Sequence, residues 1–317
     1  MYSELKLFSG NSNIELSRSI AEYLHRSLGK IDVGPFPNGE IRVEILESVR
    51  GDDVFIIQST SHSPNHNLME LLIMIDSFKR ASVKSINVVM PFFGYAKQDK
   101  KKTGREPITA RLVANLIETA GATRLITIDL HSGQIQGFFN IPVDDLGTIN
   151  LMADYFSKKQ LGDLVVVSPD VGGTKRARDA AHKLHAGLAI IDKHRTSYAN
   201  AKAMNVIGDV SGKNCLIIDD FVDTAGSMVE AVSALKNSGA KDIYIYFTHA
   251  VLTNPPAIDR LKTLDVKEIV TTDTISMPAE KKMDNLTVIS TAPLLGETIR
   301  RVAIGESVSE LYMGRKF

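Results

Sequence analysis

The apolar run Cys215-Leu216-Ile217-Ile218 ends in two acids, Asp219 and Asp220, and continues as Phe221-Val222-Asp223-Thr224-Ala225-Gly226-Ser227. An unbroken apolar run of this length suits a strand buried on both faces, and the Thr-Ala-Gly-Ser stretch after a short turn suits the opening of a helix. The first N–H groups of a helix lack intrahelical partners and carry the positive end of its dipole. With the Thr224 and Ser227 hydroxyls they would cradle a phosphate dianion. Asp219 and Asp220, at the strand end, can accept hydrogen bonds from vicinal sugar hydroxyls. The chemistry indicated is capture of a phosphorylated sugar. An N-capped helix with surface acids would explain an Asp-Thr pair alone, but not a strand feeding the whole series.

Other chemistries find little support. Gly172-Gly173-Thr174-Lys175 has the wrong spacing for a phosphate-binding P-loop, and no Cys/His spacing suggests zinc. Ser9-Gly10-Asn11-Ser12 reads as a helix cap, with Asn11 or Ser12 as N-cap. Lys+Arg and Asp+Glu are both 37, so a net charge of zero argues against sequence-independent nucleic-acid binding. The single cysteine, Cys215, lies in an apolar run and reads as a small buried strand residue. The start, Met1-Tyr2-Ser3-Glu4-Leu5-Lys6, shows no signal peptide, and no apolar run approaches the roughly 18 residues of a membrane span, so the expected compartment is the cytoplasm.

The elements that must position such a loop follow from hydrophobic patterning. Strands are expected at Leu5–Phe8, Val54–Gln58, Ile86–Met90, Leu125–Asp129, Leu164–Ser168, Leu188–Ile191, Cys215–Asp219 and Ile243–Thr248. Helices are expected at Ile14–Leu28, Leu68–Ala81, Thr109–Ala120, Leu151–Lys159, Thr174–Leu184, Ser227–Asn237 and about Pro293–Ile304. This alternation predicts an α/β chain built of βαβ units, with parallel sheets covered by helices on both faces. At 317 residues the chain is long enough for two domains. A turn at Ile141–Gly147 separates two such series, so the expected domains are 1–147 and 148–317, the last helix returning to either half.

The whole Ile217–Ser227 segment resembles the ribose-phosphate loop of the phosphoribosyltransferase superfamily. Within it the chain is similar to the ribose-phosphate diphosphokinases (phosphoribosyl pyrophosphate synthetases, class I type). The likeness rests on Phe8-Ser9-Gly10-Asn11, Asn67-Leu68-Met69-Glu70-Leu71-Leu72, Asp129-Leu130-His131, Gln134–Phe139, Val167–Gly173 and Gly305-Glu306-Ser307-Val308-Ser309, met in that order. It implies two similar phosphoribosyltransferase-like domains, each a mostly parallel sheet flanked by helices. It also implies transfer of the diphosphoryl group of MgATP to the C1 hydroxyl of ribose 5-phosphate.

Residue by residue, the resemblance assigns ribose 5-phosphate to Arg195, Asp219, Asp220, Asp223, Thr224, Ala225, Gly226 and Ser227. ATP falls to Phe36, Asn38, Gly39, Glu40, Lys97, Gln98, Asp99 and His131. Relatives more often carry Asp at position 38 and Arg at position 97. Asn keeps the acceptor oxygen, whereas Lys attracts a triphosphate without the bidentate, stacked contact of Arg. The metal, Mg²⁺, falls to Asp129, His131 and Asp170. Asn140 stands where many relatives have an acid, which weakens an additional cation site near Asn140 and Asp144. Lys193 and Arg195, in a polar stretch from Ile191 to about Ala203, would be the catalytic cations that close over the phosphates. Ser48, Arg50, Ser82, Arg105, Ser307 and Ser309 match positions that bind phosphate or ADP at subunit interfaces of relatives, and the resemblance implies a homohexamer. Two rivals stay open on sequence alone: a phosphoribosyltransferase, which shares the loop, and an inactive regulatory subunit of the same family.

Overall fold

The computed structural model describes residues 4–195, 202–253, 256–309 and 311, with residues 193–195 and 202–203 described by their backbone. Two compact units emerge, Met1–Gly147 with Thr274–Ser276 and Ser290–Phe317, and Thr148–Asp273 with Met277–Ile289.

The first unit is built on five parallel strands in the order β1 (Leu5–Ser9), β4 (Asp53–Ile57), β5 (Ser85–Met90), β6 (Arg124–Ile128) and β7 (Val143–Leu146). Alternate residues of β4 enter opposite cores: Val54 and Ile56 on one face, Phe55 and Ile57 on the other. That two-sided burial is why its sequence is a continuous apolar run. One face is covered by α2 (Pro64–Arg80) through Leu71, Met74, Ile75 and Phe78, and by α3 (Thr109–Ala120) through Val113 and Ile117. The other is covered by α1 (Ile14–Tyr23) and by α8 (Ala292–Ile304), whose Ala292, Leu295 and Ile299 pack with Leu7, Ile20 and Ile126. The last helix therefore belongs to the first unit, because its apolar stripe completes that unit's second core layer. A separate antiparallel hairpin, β2 (Ile31–Pro35) and β3 (Ile41–Ile45), lays Ile31, Val33, Val43 and Ile45 against the first layer.

The second unit carries seven strands ordered β10 (Lys202–Ile207), β9 (Gly187–Arg195), β8 (Leu164–Ser168), β11 (Asn214–Val222), β12 (Ile243–Ala250), β13 (Glu268–Thr272) and β14 (Leu286–Ile289). All neighbours are parallel except β10 on β9. In β11, Cys215 and Ile217 face α6 (Gly226–Asn237) and α7 (Ala257–Lys262), while Leu216 and Ile218 face α4 (Ile149–Ser157) and α5 (Thr174–Leu184). Burial pushes the Cys215 thiol up to about 11, so it behaves as an apolar packing residue.

Several expectations are corrected. The segment expected as a separating turn, Ile141–Gly147, contains strand β7, because its acids are satisfied within the sheet: Asp144 pairs with Arg124 at 2.6 Å, and Asp145 accepts from the Leu130 N–H at 3.0 Å. Helix α1 ends at Tyr23 rather than Leu28, since His25 takes φ 50° and the Gly29 N–H turns back to the Leu7 carbonyl at 2.7 Å. Its N-cap is Asn13, which accepts from the Leu16 N–H, and not Asn11 or Ser12. The polar stretch after Ile191 continues β9 to Arg195 and returns as β10, pairing Lys202 with Arg195 and Met204 with Lys193.

Candidate functional site

In the second unit the strand order reverses between β8 and β11: the chain runs from β8 outward to β9 and β10, then resumes on the other side with β11 to β14. Loops at the carboxyl ends of strands flanking such a switch point form the crevice where open α/β sheets bind ligands. Here those segments are Pro169–Gly173, after β8, and Asp219–Ser227, which begins in the last residues of β11 and runs on to the start of α6.

Asp220 is buried and Asp219 half-buried. The Asp220 N–H donates to Asp219 Oδ1 at 2.9 Å, and the Arg176 guanidinium on α5 lies 3.5 Å from Asp219 Oδ1 and 3.4 Å from Asp220 Oδ1. Burial first, and then the adjoining Asp220 carboxyl, push the Asp219 carboxyl well above the usual carboxylate range, with Arg176 opposing both. The pair offers acceptor oxygens, and on Asp219 a retained proton, to groups such as vicinal hydroxyls.

Beyond Val222 the chain is pinned by the Leu252 N–H on the Val222 carbonyl at 2.9 Å and the Thr253 N–H on the Asp223 carbonyl at 3.1 Å. The Thr224 carbonyl accepts from Arg260 at 2.8 Å. Helix α6 then opens at Gly226 from Ala225, which is buried, has φ 60° and ψ 6°, and makes no side-chain cap hydrogen bond. A left-handed alanine costs about 1–2 kcal/mol, and a helix start without a capping side chain leaves its first N–H groups for another acceptor. The uncapped start leaves the amides of Gly226–Met228 in a position where an anion could be received.

Opposite, Asp170 accepts the Gly173 N–H on Oδ1 at 2.9 Å, and its carbonyl accepts from Ser168 Oγ at 2.6 Å. In the first unit, Asp129 follows β6 with φ 40° and donates its N–H to the Leu146 carbonyl at 2.9 Å, while His131 is exposed just beyond. Among the described residues no group of three or more His, Cys, Asp or Glu could hold a metal ion. Mg²⁺ usually keeps its waters and takes one or two protein ligands alongside phosphate oxygens. Asn140 donates its side-chain amide to Glu118 at 2.9 Å, and Asp144 is held by Arg124, so the structure uses both as internal partners.

The β2–β3 hairpin presents Phe36, Asn38, Gly39 and Glu40 at its tip. The Gly39 N–H closes a turn on the Phe36 carbonyl at 2.9 Å, Asn38 Oδ1 accepts the Glu40 N–H at 3.2 Å, and the Phe36 ring is exposed. Gly39 has φ 91°, which glycine adopts without strain. Lys97 and Gln98 are exposed and Asp99 half-buried in the long connection after β5, where the Gln98 N–H bonds the Tyr95 carbonyl and its own carbonyl accepts the Ala110 N–H. Lys193 and Arg195 lie on β9, and their side chains fall outside the described residues. Ser48 and Arg50 precede β4 beside Ser82, linked by the Gly51 N–H on the Ser82 carbonyl at 3.0 Å. Arg105 is exposed, and Ser307 and Ser309 follow α8, the Ser309 N–H donating to Ser307 Oγ at 3.2 Å.

Residues 5–121 match a family model described as the N-terminal domain of ribose phosphate pyrophosphokinase, and residues 195–313 match the phosphoribosyl synthetase-associated domain. The chain is 54% identical over 309 residues, 98% of each chain, to ribose-phosphate pyrophosphokinase of Bacillus caldolyticus. The chain belongs to the ribose-phosphate pyrophosphokinase family. It is also 54% identical over 310 residues to the Corynebacterium ammoniagenes enzyme of that name, covering 98% of each. The crystal structure of phosphoribosylpyrophosphate synthetase from Mycobacterium smegmatis superposes with a TM-score of 0.91 at 44% identity, over 96% of this chain and all of that one. Membership gives an enzyme of α/β fold, with a parallel first sheet and a mostly parallel second one. No helix among the described residues is long and apolar enough to cross a membrane.

Sequence reasoning missed Arg176. It sits on an exposed-looking Thr-Lys-Arg-Ala-Arg helix face, 43 positions before Asp219, and only the Gly172-Gly173 opening of α5 hints that this face meets a neighbouring strand end.

Proposed function

We infer that this member of the ribose-phosphate pyrophosphokinase family transfers the diphosphoryl group of MgATP to the C1 hydroxyl of ribose 5-phosphate, giving phosphoribosyl pyrophosphate and AMP. The observation that carries this reading is the Asp219–Ser227 loop at the switch point: two adjacent acids beside a helix that starts on a left-handed, non-capping alanine. Asp219 and Asp220 take the ribose hydroxyls, while Thr224, Ser227 and the amides of Gly226–Met228 take the 5-phosphate, with Asp223 and Ala225 shaping the turn.

Phe36, Asn38, Gly39 and Glu40 meet the base and ribose of ATP; Lys97, Gln98, Asp99 and His131 also contact ATP, with the Lys97 cation attracting its triphosphate. Asp129, His131 and Asp170 would contribute the protein donors to Mg²⁺, which when bound neutralises phosphate charge. The C1 hydroxyl oxygen attacks the β-phosphorus and loses its proton to water. The new O–P bond forms as the bond from the α–β bridging oxygen to the β-phosphorus breaks, and AMP leaves. Lys193 and Arg195 offset the charge that grows on the bridging oxygen and the β-phosphoryl group, and no protein nucleophile is required.

The same reading makes the protein a cytoplasmic homohexamer, with phosphate and ADP acting at Ser48, Arg50, Ser82, Arg105, Ser307 and Ser309. Coupled detection of AMP and phosphoribosyl pyrophosphate tests it, with and without phosphate and ADP. AMP should leave ATP only when ribose 5-phosphate is present, and AMP release independent of the sugar would overturn the assignment. Sedimentation of the purified chain tests the hexamer.

A further inference from the structure

The segments Phe8–Asn11 and Asn67–Leu72 carry much of the sequence likeness, yet the reaction gives neither a task. In the structure they meet. Glu70, on α2, is 1% exposed, and its carboxylate accepts three hydrogen bonds. Oε1 takes the Asn11 N–H at 2.7 Å and Gln58 Nε2 at 2.8 Å, and Oε2 takes Asn11 Nδ2 at 2.8 Å. His66 Nε2 lies 3.9 Å from Oε2. Gln58 in turn accepts the Ser12 N–H at 3.1 Å and donates to the Asn67 carbonyl at 3.3 Å. A Cβ on Gly10 would stand 2.3 Å from Gln58 Oε1 and 3.0 Å from Glu70 Oε1, so a side chain there would displace these two groups.

Burying a carboxylate is costly, and this one is divided between Asn11, which it holds by both backbone and side-chain N–H, and Gln58. A planar amide has two N–H bonds, and those of Asn11 are divided: one goes to Glu70 and the other to the Val33 carbonyl at 3.2 Å. Val33 lies on β2, three residues before Phe36. The β2–β3 hairpin stands apart from the five-stranded sheet and otherwise meets the unit through apolar side chains, which fix depth better than direction. A hydrogen bond from a pinned amide fixes direction.

We propose that Glu70 and Asn11 are positioning residues that hold the Phe36–Glu40 turn through the Val33 carbonyl, setting affinity for ATP without taking part in the chemical step. The proposal rests on the reading of that turn as the ATP contact. Steady-state kinetics of the full-length enzyme, with ATP and ribose 5-phosphate varied separately, test it. Asn11→Ala should raise the KM for ATP about five- to tenfold, as loss of one such bond implies, while kcat and the KM for ribose 5-phosphate stay within about twofold. The pair Asn11→Asp with Glu70→Gln keeps a bond between positions 11 and 70 with donor and acceptor exchanged, but leaves no side-chain N–H for Val33. It should keep the wild-type Tm and still show the raised KM for ATP.

A double variant with a restored KM would overturn the tether in favour of simple packing. So would Asn11→Ala with an unchanged KM for ATP while Phe36→Ala raises it. If Phe36→Ala also leaves that KM unchanged, the reading of the turn itself has failed, and the proposal falls with it.

Discussion

The guanidinium of Arg176 lies 3.4 Å from the Asp220 carboxylate and reaches Asp219 at nearly the same distance. It joins the helix that follows one side of the switch point to the strand that ends on the other. Without it, two adjacent acids would repel each other in a half-buried site. Arg176→Ala should therefore lower kcat/KM for ribose 5-phosphate by about ten- to a hundredfold, the loss expected for a hydrogen-bonded charge, with a smaller effect on ATP. Arg176→Lys should recover part of it, and initial rates at varied sugar concentration check both.

Glu297 on α8 predicts a pH dependence. Its carboxylate accepts from Arg300 at two positions, both 2.9 Å, and from Arg301 at 2.8 Å; Arg300 first and then Arg301 hold it down to about 2 against the opposing effect of burial. A depressed carboxylate stabilises the fold above its unfolded value of 4.5, and that contribution disappears as pH falls through 2. Glu297→Gln should lower Tm at pH 7, and the two melting curves should converge between pH 4.5 and 2.

Ala225 carries strain that glycine would release. Relief of a left-handed alanine outweighs the extra freedom glycine gains in the unfolded chain, so Ala225→Gly should stabilise the protein by about 0.5–1 kcal/mol. Urea denaturation measures this. A destabilised variant would mean that the buried methyl group matters more than the backbone angle.

Lys193 offers a kinetic prediction drawn from family resemblance. If it acts on charge that develops only in the transition state, Lys193→Ala should reduce kcat by roughly 10³-fold and leave both KM values nearly unchanged. Pre-steady-state AMP formation distinguishes that outcome from slow product release.

The βαβ framework and the Asp219–Ser227 loop were legible because both are local: buried strands write continuous apolar runs, and a strand end followed by a helix start is contiguous in sequence. The β2–β3 hairpin was not among the expected strands, although Ile31, Val33 and Ile41, Val43, Ile45 alternate around Gly39. β7 hid because Asp144 and Asp145 look like turn formers, and only Arg124 and the Leu130 N–H make them strand residues. The Asn11–Glu70 contact spans 59 positions and the Arg176–Asp220 pair 44. No periodicity encodes such meetings, since they depend on which strands the sheet places side by side.

Helix α8 closes the second core layer of the first unit, although residues 147–291, mostly second-unit chain, lie between it and β7. As the chain leaves the ribosome, α1 covers only part of the face bearing Leu7, Phe55 and Ile126, and the layer stays incomplete until Ala292, Leu295 and Ile299 have been made. The first part synthesised is thus among the last to be finished. Nascent chains cut short before residue 292 would carry that oily surface to chaperones and proteases, so quality control of this protein is written into its chain order.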